Sequence, residues 1–316
     1  MKVLVTGGCG YKGHVLVPKL LQRGYEVIAF DTQWFGNYLE THPKLKVIQG
    51  DVRQVKEIPL EGVDCIIHLA SIANDPCGDL NPKLTWEVSA LATMQLADRA
   101  KRLGIKRLIY ASSGSVYGVK EEELVTEELE LEPISEYNKT KMVAERVVLS
   151  YQNDMVVQVV RPGTVCGYSP RMRFDVAVNM LVMQALSKGR ITVFGGDQIR
   201  PNIHMDDITD VYLHLIDHPQ HTGIFNAGFE NISILDIAKL VTKYIPVEIT
   251  VTQSNDPRCY RVNSDKLLST GFKPKKTVED AIQEIIAQFQ TGHCKDEDRY
   301  YNLKWMQKTV LTGVNS

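Results

Sequence analysis

The chain has 316 residues, a formal charge of −2, 44% hydrophobic residues and 23% charged ones. That is enough chain to bury a large core, and the balanced charge gives no general attraction for nucleic acid or an anionic membrane surface. No apolar run reaches transmembrane length, no signal peptide is expected ahead of the first strand, and six scattered cysteines without paired spacing fit a reducing cytoplasm and no metal site.

The first 31 residues read as strand, glycine turn, helix, strand and acid. The run Val3-Leu4-Val5 meets Thr6-Gly7-Gly8-Cys9-Gly10-Tyr11-Lys12-Gly13, an amphipathic stretch runs to Arg23, Gly24 stops it, and Val27-Ile28-Ala29-Phe30 ends at Asp31. Gly8, Gly10 and Gly13 spell G-x-G-x-x-G, and Gly7, Gly10 and Gly13 spell G-x-x-G-x-x-G. Such glycines let a tight turn bring backbone N–H groups and a helix N-terminus up to a pyrophosphate. Asp31 has the spacing of an acid that takes the adenosine ribose hydroxyls, which favours NAD over NADP. Pro18 removes a hydrogen bond to His14 and predicts a mild kink. Tyr11 and Lys12 join the candidate cofactor set; Lys12 either leans toward phosphate or stays in solvent.

Leu45-Lys46-Val47-Ile48 reads as a third strand, followed by Gly50-Asp51-Val52. A carboxylate there accepts from the adenine amino group or caps the next helix. The nearly all-apolar run Asp64-Cys65-Ile66-Ile67-His68-Leu69-Ala70 predicts a strand covered on both faces, with His68 a core residue. Its end, Leu69, Ala70 and Ser71, and a loop over 71–81 should lie across the cofactor. A helix is expected over 83–103, then a strand over 107–111.

That strand ends in Ala111-Ser112-Ser113-Gly114-Ser115-Val116-Tyr117-Gly118, and an acidic surface run over 121–132 leads to Tyr137-Asn138-Lys139-Thr140-Lys141 in a helix reaching about 151. Tyr137 and Lys141, four apart, share one helix face. An ammonium beside a phenol lowers the phenol pKa and makes tyrosine a usable base.

With glycine turn, serine strand end and Tyr-x-x-x-Lys in this order, the chain resembles the extended short-chain dehydrogenases/reductases, and within them the NAD-dependent epimerase/dehydratase family acting on nucleotide-diphosphate sugars. The resemblance runs from Met1 to about Phe289 and takes in Arg161-Pro162-Gly163-Thr164-Val165, residues 195–207 and Gly223-Ile224-Phe225-Asn226-Ala227-Gly228. It implies Tyr137 as the base on a sugar hydroxyl, Lys141 on the nicotinamide ribose, Ser113 hydrogen-bonded to the same hydroxyl, and hydride transfer between the sugar carbon and nicotinamide C4. It also places Pro162 at the cofactor and Thr164 at the substrate. Arg173 and Asn179, in and after Ser169-Pro170-Arg171-Met172-Arg173, resemble a subgroup that includes a GDP-heptose C4 dehydrogenase. Arg200 and Arg258 match positions that grip the nucleotide diphosphate, a task suited to the planar guanidinium.

Some positions depart from the subfamilies. Gly114 and Ser115 stand where 4,6-dehydratases carry Asp-Glu, which argues against elimination of water. Ala73, Ser89 and Arg161 replace the lysine and two asparagines of the UDP-galactose 4-epimerase pattern. The expected fold is α/β, a doubly wound (Rossmann) parallel sheet with a smaller discontinuous substrate lobe. The NAD domain would span 1–165 with 203–228 returning to it, the lobe 166–202 and 229–290, and a tail 291–316 would dock on a partner subunit or fray. His204 is expected to be structural, and Asp206 and Asp207 to cap the following helix. The implied activity is NAD-dependent oxidation of a nucleotide-diphosphate sugar at C4, foremost as a 4-epimerase, with net dehydrogenase or ketoreductase as alternatives and a non-catalytic NAD-binding scaffold as a remote one. A homodimer through helices over 84–102 and 137–151 is a further implication.

Overall fold

The structure, a computed structural model, describes residues 1–120, 122–254 and 259–309. The first half alternates strand and helix: β1 (Lys2–Thr6), α1 (Gly13–Gln22), β2 (Glu26–Asp31), β3 (Leu45–Gln49), β4 (Cys65–His68), α2 (Asp75–Leu80), α3 (Pro82–Trp86), α4 (Ala92–Arg102), β5 (Arg107–Ala111), α5 (Glu136–Leu149) and β6 (Val156–Pro162). The second half adds β7 (Thr164–Cys166), α6 (Ala177–Lys188), β8 (Arg190–Phe194), β9 (Ile199–His204), α7 (Met205–Asp217), β10 (Gly223–Ala227), β11 (Glu230–Ser233), α8 (Ile234–Tyr244), β12 (Glu248–Thr252), α9 (Asp265–Ser269), α10 (Val278–Gln290) and α11 (Asn302–Thr309).

Seven strands form one sheet in the order β10-β6-β5-β4-β1-β2-β3, every neighbouring pair parallel. The central strands are apolar throughout because helices cover both faces; β4 is buried at all four positions. One face packs α1, α6, α7 and α10 around Leu16, Val178, Ile208 and Ile282, and the other packs α4 and α5 around Leu96, Ala144 and Val148. The strand order reverses between β1 and β4, which opens a crevice at the carboxyl edge where such sheets bind ligands. Two small sheets, β11-β9-β7 and β12-β8, complete one side of that crevice.

Three local expectations are corrected. The segment 71–81 is not a plain loop: Asn74 accepts from Cys77 N at 3.0 Å and, with Pro76 in the first turn, starts α2. The helix expected over 83–103 runs from Pro82 to Arg102 with a widened π turn at Glu87–Leu91. There Ser89 Oγ holds Ile72 N at 3.2 Å and Ser71 Oγ at 3.0 Å, tying the helix to the end of β4. The α7 cap is the His204 ring, accepting from Asp206 N at 3.0 Å, while buried Asp207 accepts from the Lys275 and Lys276 amides. Helix α1 continues through Pro18, and His68 is a core residue between Thr6 Oγ1 and Thr93 Oγ1.

Candidate active site

The glycine turn shows why those positions are glycine. Gly7 has φ +71°, and a Cβ there would stand 2.7 Å from Ala70 N; a Cβ on Gly13 would collide with the Gly8 carbonyl. The turn is therefore folded tightly under the N-terminus of α1. At the end of β2 the Asp31 carboxylate accepts from Cys9 N at 3.0 Å and Gln33 N at 2.7 Å, which fixes it beside the turn. Burial pushes its pKa up from the usual carboxylate value, and these two N–H groups pull it back.

Gly7, Gly10, Tyr11, Lys12, Gly13, Asp31, Asp51, Val52, Leu69, Ala70, Ser71, Lys141 and Pro162 all line one cavity of about 710 Å³, together with Ser113, Tyr137, Thr164, Arg173 and Arg200. Two expectations fall elsewhere. Asn179 does not reach the cavity: it is fully buried in α6, bonding Tyr11 Oη, Gly167 N and the Arg173 carbonyl, so it braces the wall from behind. Arg258 lies outside the described residues. Lys12 is half-buried at the cavity wall, 3.4 Å from Tyr212 Oη; burial and neighbouring Arg173 lower its pKa to about 8. Asp51 is paired with Arg53 at 2.6 Å, and its carboxylate closes a turn onto Arg53 N instead of capping a helix.

At the other end of the cavity α5 presents the reactive pair. Ser135 caps the helix, accepting from Asn138 N at 3.2 Å, and Tyr137 follows in the first turn. A Cβ on Gly78 would lie 2.9 Å from the Tyr137 Cβ, so that glycine is what lets α2 close against the tyrosine. Burial raises the Tyr137 pKa, the hydrogen bond with Ser113 lowers it, and nearby Asp75 raises it again. Lys141 is buried, donating to the Ala111 carbonyl at 2.7 Å over the Tyr110 ring; burial and Lys12 hold its pKa well below the ordinary lysine value. In the free protein the phenol is thus protonated, and the lysine is poised one turn along the same face.

The sequence singled out Ser113 but not the residues that hold it. Ser113 and Ser115 are linked hydroxyl to hydroxyl at 2.7 Å, Ser115 donates to Asn138 Oδ1 at 2.5 Å, and Asn138 Nδ2 donates to Asp75 Oδ1 at 3.0 Å. Asn74, at φ +78°, is a non-glycine residue in left-handed backbone and donates to Asp175 Oδ2 at 2.6 Å, while Asp175 also receives Arg173. Arg161, at the departure from the epimerase pattern, is not a ligand group. It is buried in an ion pair with Glu145, which also accepts from Ser112.

The family model for the NAD dependent epimerase/dehydratase family matches residues 3–228. The chain belongs to that family. UDP-glucose 4-epimerase of Lactobacillus helveticus is 28% identical, with 89% of this chain and 95% of the relative covered. UDP-glucuronic acid decarboxylase 2 of Arabidopsis thaliana is 30% identical, covering 92% and 68%. The solved structure of UDP-glucuronic acid 4-epimerase from Bacillus cereus, in complex with UDP-glucuronic acid and NAD, matches with a TM-score of 0.80 at 25% identity, covering 92% of this chain and 99% of that one. The protein is an NAD-dependent enzyme of this family, and the resemblance read from its motifs stands. The glycine cradle and the Asp31 carboxylate fit the dinucleotide: Gly7, Gly10 and Gly13 would take its pyrophosphate, Asp31 its adenosine ribose, and Lys141 its nicotinamide ribose.

Proposed function

We propose that the protein is a 4-epimerase of a nucleotide-diphosphate sugar, with Tyr137 as the proton carrier. The observation that carries this reading is the convergence of Tyr137, Ser113 and Lys141 on the same cavity as the glycine cradle, with Arg173 and Arg200 also in its wall. The chemistry that NAD would supply here is reversible acceptance of a hydride from the sugar C4–H bond.

The chain's own residues manage position and protons. Tyr137 takes the C4 hydroxyl proton as the ketone forms and returns it to the same oxygen when the ketone is reduced. Ser113 orients that hydroxyl, and the Lys141 ammonium favours the phenolate while the proton is away. Arg200 would meet the sugar's diphosphate, and Arg173, held on Asp175 through Nε and Nη2, would add its remaining N–H groups. Reduction of the opposite face inverts C4 with no net redox change. Ser115 supports this over elimination, because its hydroxyl stands where the dehydratase pattern puts a carboxylate.

For the assembly, Trp86, Leu91 and Met94 are exposed along α3 and α4, which supports a homodimer through those helices. Light scattering on the purified chain tests this; a monomer overturns it.

The activity test is incubation with NAD and UDP-, GDP-, CDP- and dTDP-sugars, following nicotinamide absorbance and resolving the sugar product by NMR. A C4 isomer without lasting NADH is the expected outcome. Stoichiometric NADH with a released keto-sugar would instead make the protein a dehydrogenase.

A further inference from the structure

The last helix among the described residues, α11, occupies a place that its polar composition does not announce. Asn302, Leu303 and Met306, on one face of α11, line the dinucleotide cavity beside Trp34, Phe35 and Val52. That is the adenosine end: it adjoins Asp31 at the tip of β2 and Asp51 beyond β3, where this sheet topology receives the adenosine half of a dinucleotide. Met306 is 3% exposed and belongs to the same apolar cluster as Phe30, Val52 and Ile72. Trp305 Nε1 donates to the Trp34 carbonyl at 2.6 Å, latching α11 to the segment after β2, and the other side of α11 rests on α2. The helix therefore spans from one lip of the crevice to the other.

A buried guanidinium joins this wall. Arg171 is 2% exposed, lies 4.0 Å over the Phe35 ring, and donates through Nη2 to Asn302 Oδ1 at 2.5 Å. Its Nε is buried with no hydrogen-bond partner among the described residues, although the side chain lines the cavity. Nη1 donates to the Met172 carbonyl at 3.3 Å; Arg173 repels the guanidinium, and Asp175 and Asp31 attract it. The Nε–H is thus left as a donor for an anionic or polar group of a ligand. The loop that carries it is tied to the tail as well, through Phe174 N to the Tyr300 carbonyl at 2.8 Å and an edge-on contact of the two rings at 5.7 Å.

We propose that Arg171 and α11, the latter supplied by the C-terminal tail, form a closing wall over the adenosine end of the NAD site and slow the departure of the dinucleotide from it. The proposal rests on NAD as the cofactor and holds whichever outcome the reaction at the sugar has. Leu303 and Met306 supply the apolar cover, Arg171 supplies charge and a donor, and the Trp305 latch keeps the cover in place.

The test measures NAD retention with no sugar present, so it is independent of whether C4 epimerisation is found. The full chain is loaded with NAD, desalted, and chased with excess ADP-ribose, and the NAD remaining on the protein is quantified after acid release. The comparison proteins are Trp305→Phe, which removes the latching N–H together with part of the indole ring system, Met306→Ala and Arg171→Met, each checked for its fold by circular dichroism. UDP binding by calorimetry monitors the sugar-nucleotide end. NAD release at least roughly tenfold faster in Trp305→Phe and Met306→Ala, with UDP affinity unchanged, is the expected result; tenfold corresponds to about 1.4 kcal/mol. Release at the parental rate in folded Trp305→Phe and Met306→Ala would overturn the proposal, as would a parallel loss of UDP binding, which would mark the effect as global.

Discussion

The Ser115 hydroxyl donates to Asn138 Oδ1 at 2.5 Å, joining the serine-bearing end of β5 to the helix that carries Tyr137 and Lys141. The link has a direction. Asp75 as a carboxylate only accepts, so it takes an N–H of Asn138; the amide oxygen then faces Ser115, and Ser115, having spent its proton there, accepts from Ser113. The oxygen of Ser113, which also accepts the Ser115 N–H at 3.2 Å, is thereby held beside Tyr137. We expect Ser115→Ala to lower kcat about tenfold with NAD retention unchanged, because it frees the Ser113 rotor without touching the cofactor. Steady-state kinetics beside an NAD assay checks this, and an unchanged kcat would show that the chain does not order Ser113.

Tyr137→Phe removes the only atom of that side chain able to carry the proton. Loss of a general acid–base group costs on the order of 10²–10⁴ in rate. Turnover should fall by about that much while NAD and UDP still bind, since phenylalanine keeps the backbone and Cβ that face Gly78. Activity within tenfold of the parent would remove Tyr137 from the reaction.

Arg161 and Glu145 are almost fully buried, at 3% and 1% side-chain exposure, and the carboxylate also receives Ser112. Breaking such a pair from one side strands a charge, at about 3–5 kcal/mol. Glu145→Leu should therefore lower the urea midpoint sharply, and the double replacement Glu145→Leu with Arg161→Met should recover much of the loss. A double variant as unstable as the single would show that the cost lies in shape and not in the stranded guanidinium.

Two histidines set an acid limit. His14 donates from Nδ1 to the Gly10 carbonyl at 3.0 Å and accepts the Tyr38 N–H on Nε2 at 2.8 Å, so the folded protein needs it neutral. Burial lowers its pKa from 6.5 to about 4, and lowers that of His68 to about 3. Because the folded pKa lies below the unfolded one, the unfolded chain binds the proton first, and this stability is complete above pH 6.5 and drains away as pH falls toward 4. The His14 shift alone is worth about 3 kcal/mol. Urea midpoints measured between pH 8 and pH 5 should begin to fall near pH 6.5; a flat profile over that window would contradict the burial argument.

Much of the site was legible because its residues sit close together in sequence. The glycine turn, Asp31, the serine strand end and the Tyr137–Lys141 pair each obey a local rule, a tight turn, a strand terminus or one helix face, and such rules survive without knowing the rest of the molecule. Asn179 read as a ligand residue by motif, yet α6 turns it away from the cavity to brace Tyr11 and Arg173. The departure at Arg161 had no sequence explanation, since its partner Glu145 is on a different element and only the packing of α5 on β6 brings them together.

The tail marks the boundary most clearly. By itself the sequence determined the parallel sheet and the glycine turn and put Tyr137 and Lys141 on one helix face, because periodicity and short spacings encode them directly. It left residues 291–316 as a fragment to dock elsewhere or fray. The tertiary structure decided that α11 returns to the far end of the cavity, where Trp305 meets Trp34 and Asn302 meets Arg171 across 271 and 131 residues of chain. Contacts of that separation are fixed by the burial of Leu303 and Met306 against a surface that exists only once the sheet is assembled, and no local pattern in an eight-residue helix can specify where that surface will be.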